Sequence, residues 1–138
     1  MKTFNMNGHT FLAFANYYAG SKYKIDSFIY KWNGSEFVLF ESLPTRGARA
    51  WHPFVMRSVC GQTFLGVANY KGDSQGYNTK SVIYRVSGSK FIEFQEISTL
   101  GAHNLTSFKY KGTTYLAVAN EKINHRRYNI NNMLYILT

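Results

Sequence analysis

The chain has 138 residues, enough for one ordinary domain, and 45% of them are hydrophobic, enough to bury a core. It carries 16 Lys and Arg against 7 Asp and Glu, a net charge of +9 that favours acidic partners such as sulfated or sialylated glycans, anionic lipid or nucleic acid. A single cysteine, Cys60, excludes an internal disulfide, and no apolar run reaches the roughly 18 residues of a membrane span.

The amino-terminal stretch has no signal-peptide apolar core, so the chain reads as cytosolic or as the product of leader removal. The first strand signal covers Lys2–Asn7 and ends at Gly8. An aromatic-Leu-Ala/Gly-x-Ala-Asn hexamer follows at Phe11–Asn16, then a loop holding Tyr23, then a third strand at Ser27–Trp32. Asn33-Gly34 supplies a hairpin turn, because both residues tolerate positive φ, and Glu36–Ser42 forms the fourth strand.

The same order then recurs. The hexamer returns at Phe64 and Tyr115, with Asn69 and Asn120 closing the copies as Asn16 closes the first. Tyr77 and Tyr128 stand where Tyr23 stands, and Ile83-Tyr84 and Leu134-Tyr135 where Ile29-Tyr30 stands. "NGSEFVLFESLPTRGA" at 33–48 matches "SGSKFIEFQEISTLGA" at 87–102 at a constant offset of 54. First strands are predicted at Pro53–Val59 and Ser107–Lys111, third strands at Ser81–Val86 and Asn132–Leu137, and a fourth at Lys90–Ile97. Gly61, Gly112 and Ser87-Gly88 mark the turns, and no segment sustains the 3.6-residue period of a helix. Four hairpin-linked strands per unit of about 50 residues describe a β-propeller blade. The prediction is an all-β chain of three antiparallel units, about 1–48, 49–102 and 103–138, the last lacking its fourth strand.

The hexamer, "DSFIYKWNGSEFVLFESLPTRGA" and "SVIYRVSGSKFIEFQEISTLGA" together resemble the epilepsy-associated (EAR, or EPTP) repeat of the leucine-rich glioma-inactivated proteins and other large extracellular or adhesion proteins. The resemblance implies propeller blades, secretion, and recognition of a partner through loops without catalysis. Three blades fall short of the roughly 4 to 8 that close a ring. Open blade faces are association surfaces, so the chain is expected to self-associate, with a dimer giving six blades, or to be part of a longer protein. The Asn132–Leu137 strand is expected to be an exposed edge.

Candidate chemistry concentrates in the loops after each hexamer: "NYYAGSKY", "NYKGDSQGY" and "NEKINHRRY". Tyr faces stack on sugar rings, and Asn and Lys bond hydroxyls, so a multivalent lectin is the alternative to a protein-binding module. The repeated Asn16, Asn69, Asn120, Tyr23, Tyr77 and Tyr128 read as scaffold, since identity across units serves the fold. Variable residues read as contacts: Tyr18, Lys22, Lys71, Arg126 and Arg127, with the basic-aromatic pair Arg49 and Trp51. Short basic-aromatic groups of this kind can hold single-stranded nucleic acid, yet an extracellular protein or acidic glycan is the expected partner. Cys60 and His52 lack a supporting acid, which argues against an enzyme on the propeller scaffold. The four histidines are scattered away from metal-ligand spacing, and no cofactor is expected.

Overall fold

The computed structural model describes residues 1–56, 61–74, 76–124 and 131–137. They form eleven strands and no helix. Strands β1 (Lys2–Met6), β2 (His9–Phe14), β3 (Lys24–Trp32) and β4 (Phe37–Arg46) make a four-stranded antiparallel meander, blade 1. Strands β5 (Ala48–Met56), β6 (Gln62–Asn69), β7 (Ser81–Ser87) and β8 (Lys90–Ile97) repeat it as blade 2. Strands β9 (Ala102–Tyr110), β10 (Thr113–Asn120) and β11 (Met133–Leu137) make the three-stranded blade 3. The all-β meander blades predicted from the repeat are therefore the fold.

The turns follow the predicted chemistry. Asn7 (φ 52°) and Gly8 (φ 78°) both take positive φ between β1 and β2, as do Lys111 (φ 47°) and Gly112 (φ 80°) between β9 and β10. Asn33 holds the β3–β4 turn by accepting the N–H groups of Ser35 and Glu36, each at 2.9 Å, on its carboxamide oxygen.

The first strands of blades 2 and 3 begin earlier than their weak patterning indicated, at Ala48 and Ala102 rather than Pro53 and Ser107. The fourth strand of one blade runs to Arg46, Gly47 turns the chain, and the next blade starts at once. The segments between the predicted fourth and first strands are thus the two sides of a blade junction. Cys60, at the end of that first-strand region, lies outside the described residues.

The blades stack face to face through two cores. The first joins Phe4, Phe11, Ala13, Ile29 and Leu43 of blade 1 to Trp51, Leu65, Val67, Val82, Tyr84 and Phe91 of blade 2. The second joins Phe54, Met56, Phe64 and Ile83 of blade 2 to Leu105, Leu116, Val118 and Leu137 of blade 3. Each blade therefore has a front face, turned toward the preceding blade, and a back face, turned toward the next. The first strands β1, β5 and β9 lie side by side along the stack. A stacked aromatic pair sits on the back of every blade: Phe4–Phe11 at 5.4 Å, Phe54–Phe64 at 5.7 Å and Phe108–Tyr115 at 5.3 Å between centroids.

Candidate functional site

The rim that carries the post-hexamer loops is built on a repeated backbone clamp. Asn69 accepts the Arg46 N–H from the end of blade 1 at 3.0 Å and donates its amide to the Lys80 carbonyl. Asn120 treats the Leu100 N–H and the Asn131 carbonyl in the same way. Asn16 donates to the Asp26 carbonyl, and among the described residues no strand end donates to its oxygen. A buried Ser–Thr pair accompanies Asn16 and Asn69: Ser27, which accepts the Asn16 N–H, with Thr45 at 2.7 Å, and Ser81, which accepts the Asn69 N–H, with Thr99 at 2.9 Å. The scaffold reading of the repeated Asn residues is therefore correct.

Gly47 sits at the junction with φ +55°, donating to the Tyr23 carbonyl and accepting from the Tyr70 N–H. Gly101 repeats both roles, with the Tyr77 carbonyl and the Glu121 N–H. A Cβ on Gly47 would come within 2.7 Å of the Lys71 carbonyl, and one on Gly101 within 2.8 Å of the Lys122 carbonyl. Only glycine lets the rim loop of the next blade come this close. Asp73 adds a second latch, reaching back from blade 2 to accept the Tyr23 N–H at 2.6 Å.

On these clamps stands a ladder of tyrosines and cations. The Arg49 guanidinium lies between Tyr17 of blade 1 and Tyr70 of blade 2, 4.1 and 4.5 Å from the two ring centres. Lys71 lies over Tyr23 at 4.5 Å and Tyr77 at 5.2 Å, and Lys122 of blade 3 over Tyr77 at 4.5 Å. Each cation rests on a tyrosine of the preceding blade, so the ladder crosses both junctions. In blade 3 the place of Arg49 is taken by His103, whose ring meets Tyr70 edge-on and pairs with Glu121 at 3.7 Å.

The environment tunes these groups. Burial opposes the Lys71 charge, but a hydrogen bond to the Tyr23 hydroxyl and the surrounding tyrosines outweigh it and hold its pKa above the ordinary value. Burial, then the Glu121 charge, holds the Tyr70 pKa above the ordinary value. Among the described residues neither Arg49 nor Lys71 makes an ion pair.

Of the residues predicted as contacts, four meet on this rim. Arg49 and Lys71 are rungs, Tyr18 is 51% exposed beside Tyr23, and Lys22 closes a tight turn with Ala19. Trp51 does not join them. It is 4% exposed in the first core beside Tyr84, because it follows Ala50 on the strand and faces blade 1. Arg126 and Arg127, like Tyr128, lie outside the described residues. The rungs that sequence reasoning did not single out are Tyr17 and Tyr70, whereas Lys122 falls in a basic-aromatic stretch that the sequence also offers as a contact for single-stranded nucleic acid. A signal existed: Tyr17 and Tyr70 each directly follow a hexamer Asn, so the tyrosine recurs with the motif. Among the described residues no group of three or more His, Cys, Asp or Glu is placed to hold a metal ion.

Comparison with known proteins agrees with the geometry. The EPTP domain matches residues 1–33, 36–85 and 90–124. The middle match runs from β4 to β7, so one sequence repeat spans parts of two blades. The human thrombospondin-type laminin G domain and EAR repeat-containing protein is 38% identical over 116 residues, covering 81% of this chain and 16% of its own length. The mouse protein of the same name is 36% identical over 121 residues, covering 85% of this chain and 17% of its own. The chain thus spans about a sixth of these relatives. With three matched segments covering most of its length and three meander blades, the chain belongs to the EPTP, or epilepsy-associated repeat, family.

Proposed function

We propose that this chain is a non-catalytic extracellular recognition module whose tyrosine–cation rim binds an acidic surface on a partner protein or glycan. The single observation that carries the reading is the row Arg49, Lys71 and Lys122, held over Tyr17, Tyr23, Tyr70 and Tyr77 on one side of the stack. Tyrosine contacts orient a cation without neutralising it, so its N–H donors can still meet an acid. The net charge of +9 draws acidic partners toward such a rim.

A neutral sugar fits less well. Stacking a sugar ring on Tyr23 or Tyr77 would displace a lysine already there, whereas a sulfate or carboxylate would add to the arrangement. Among the described tyrosines of the rim, Tyr18 offers an exposed ring for stacking. Extracellular placement rests on the EAR-repeat relatives, whose names join the repeat to thrombospondin-type laminin G domains.

The test is titration of the chain with heparin and, separately, with an oligo-glutamate peptide at rising sodium chloride. Binding to at least one is expected, weakening as salt screens the contact. Arg49→Ala and Lys71→Ala should each weaken it about fivefold, as partly exposed charge contacts do. Circular dichroism confirms that the variants keep their strands. Absence of binding to both probes, or binding indifferent to both substitutions, overturns the proposal.

A further inference from the structure

The two blade junctions are copies of one interface, and the chain leaves one half of that interface open at each end. Blade 2 presents Leu65, Val67, Tyr84 and Phe91 to blade 1, each at most 4% exposed. The corresponding front residues of blade 1 are Leu12, Phe14, Tyr30 and Phe37, displaced by 53 or 54 positions. They line an open apolar groove with Phe28. Phe14 is 43% exposed, and neighbouring Trp32 and Leu39 are 40% and 57% exposed.

The back of blade 3 is the matching half. The stacked pairs Phe4–Phe11 and Phe54–Phe64 are buried under the following blade, whereas Phe108 of the third pair is 46% exposed. Ile29 and Ile83 are fully buried at the centre of their back faces, and their counterpart Leu134 is 58% exposed, with Ile136 beside it at 59%. Front and back therefore expose apolar surface that the same fold covers twice within the chain. Patches of this kind mark interaction sites.

We propose that the chain assembles head to tail, the front of blade 1 in one copy covering the back of blade 3 in a second copy. The occupant is a second copy because the complementary half is carried on the same chain, in the geometry of the two internal junctions. Two unlike faces make a heterologous contact, which closes into a ring when the rotation allows. Two copies bring six blades, within the roughly 4 to 8 that close. The contact rests on the apolar faces. The strand end that would supply an N–H to Asn16 belongs to a fourth strand, and the described residues of blade 3 form three.

The experiment is light scattering on the 138-residue chain over a range of concentrations, with Phe14→Lys on the front and Leu134→Lys on the back. Both side chains are exposed, so neither substitution disturbs a core within the chain. The wild-type chain should have at least twice the 15.9 kDa mass of one chain, and each variant alone should fall to a single chain. A mixture of the two variants should associate again, because one sound front meets one sound back. Unfolded variants could not be rescued this way, and a front-to-front dimer would survive Leu134→Lys. A wild-type monomer, an assembly that persists in either variant, or a mixture that stays monomeric overturns the proposal. None of these outcomes depends on heparin or peptide binding, so the assembly and the rim reading stand or fall separately.

Discussion

Gly47 concentrates at one residue what the repeat accomplishes. Its φ of +55° disfavours any side chain, and the Lys71 carbonyl occupies the space a Cβ would need. Gly47→Ala should cost about 2–4 kcal/mol, combining left-handed strain with displacement of a backbone carbonyl. Gly8→Ala has the same sign of φ (+78°) but open space around the new methyl, and should cost only about 1 kcal/mol. Urea denaturation of both variants checks the contrast, and equal losses would show that the close approach contributes nothing.

His52 makes a second residue-level prediction. It sits between blades 2 and 3, where Ser107 donates its N–H to Nε2 at 3.0 Å and brings its hydroxyl to 2.8 Å. A backbone donor at Nε2 places the ring proton on Nδ1, and a second proton would meet that N–H head on. Burial first, and the Lys2 charge second, lower the folded pKa below 6.5. The unfolded chain therefore takes up the proton first as pH falls. The contribution of His52 to stability is complete above pH 6.5 and lost as pH drops through the lower folded value. Denaturant midpoints should decline from about pH 7 to about pH 5, and His52→Gln should flatten that decline. An unchanged slope in the variant would disprove the assignment.

At the scale of elements, the hexamer Asn is a hinge pin between strands of different blades. Asn69 is 1% exposed and carries bonds to both Arg46 and Lys80. Asn69→Ala should cost about 2–4 kcal/mol, because buried backbone groups on two strands lose partners. Asn16→Ala should cost clearly less, since among the described residues Asn16 holds the Asp26 carbonyl of its own blade and no strand end of another. Thermal melts of the two variants, side by side, separate a junction role from a local turn role. If the two lose equally, the clamp acts only within its own blade.

These elements also show what the amino-acid pattern could and could not reveal. The third and fourth strands were legible because Asn33-Gly34 and Ser87-Gly88 punctuate strong alternating runs. The first strands of blades 2 and 3 were legible only from Pro53 and Ser107 onward. Their amino-terminal halves begin beside Gly47 and Gly101 and read as turns, because the stretches alternate small, polar and aromatic residues without a clear period. Trp51 looked like a surface partner of Arg49 for the same reason. Residues two apart share a face of a regular strand, but the register shift between Ala48 and Ala50 takes Arg49 out of the ladder while Trp51 stays in it, and a bulge cannot be placed before its strand is known. The rim was half legible: cations in variable loops stood out, whereas the tyrosines beneath them came from neighbouring blades and could be paired only in three dimensions.

For the whole molecule, the two kinds of surface should answer differently to salt. The rim holds Arg49, Lys71 and Lys122, so binding of an acidic probe should fade with ionic strength. The end faces are Leu, Ile and aromatic side chains, so head-to-tail association should persist under the same conditions. Running both measurements in one salt series distinguishes them in a single preparation.

The offset between sequence repeat and blade bears on how the chain is made. Residues 36–85 form one repeat, yet β4 at its start completes the sheet begun by the repeat before. During synthesis, blade 1 cannot close when its own repeat has left the ribosome. It must wait for the opening segment of the next one, through Arg46. Each repeat thus emerges as the finishing strand of its predecessor before building its own sheet. The nascent chain trails one unfinished edge, and the blade that folds is out of step with the segment that the EPTP match spans.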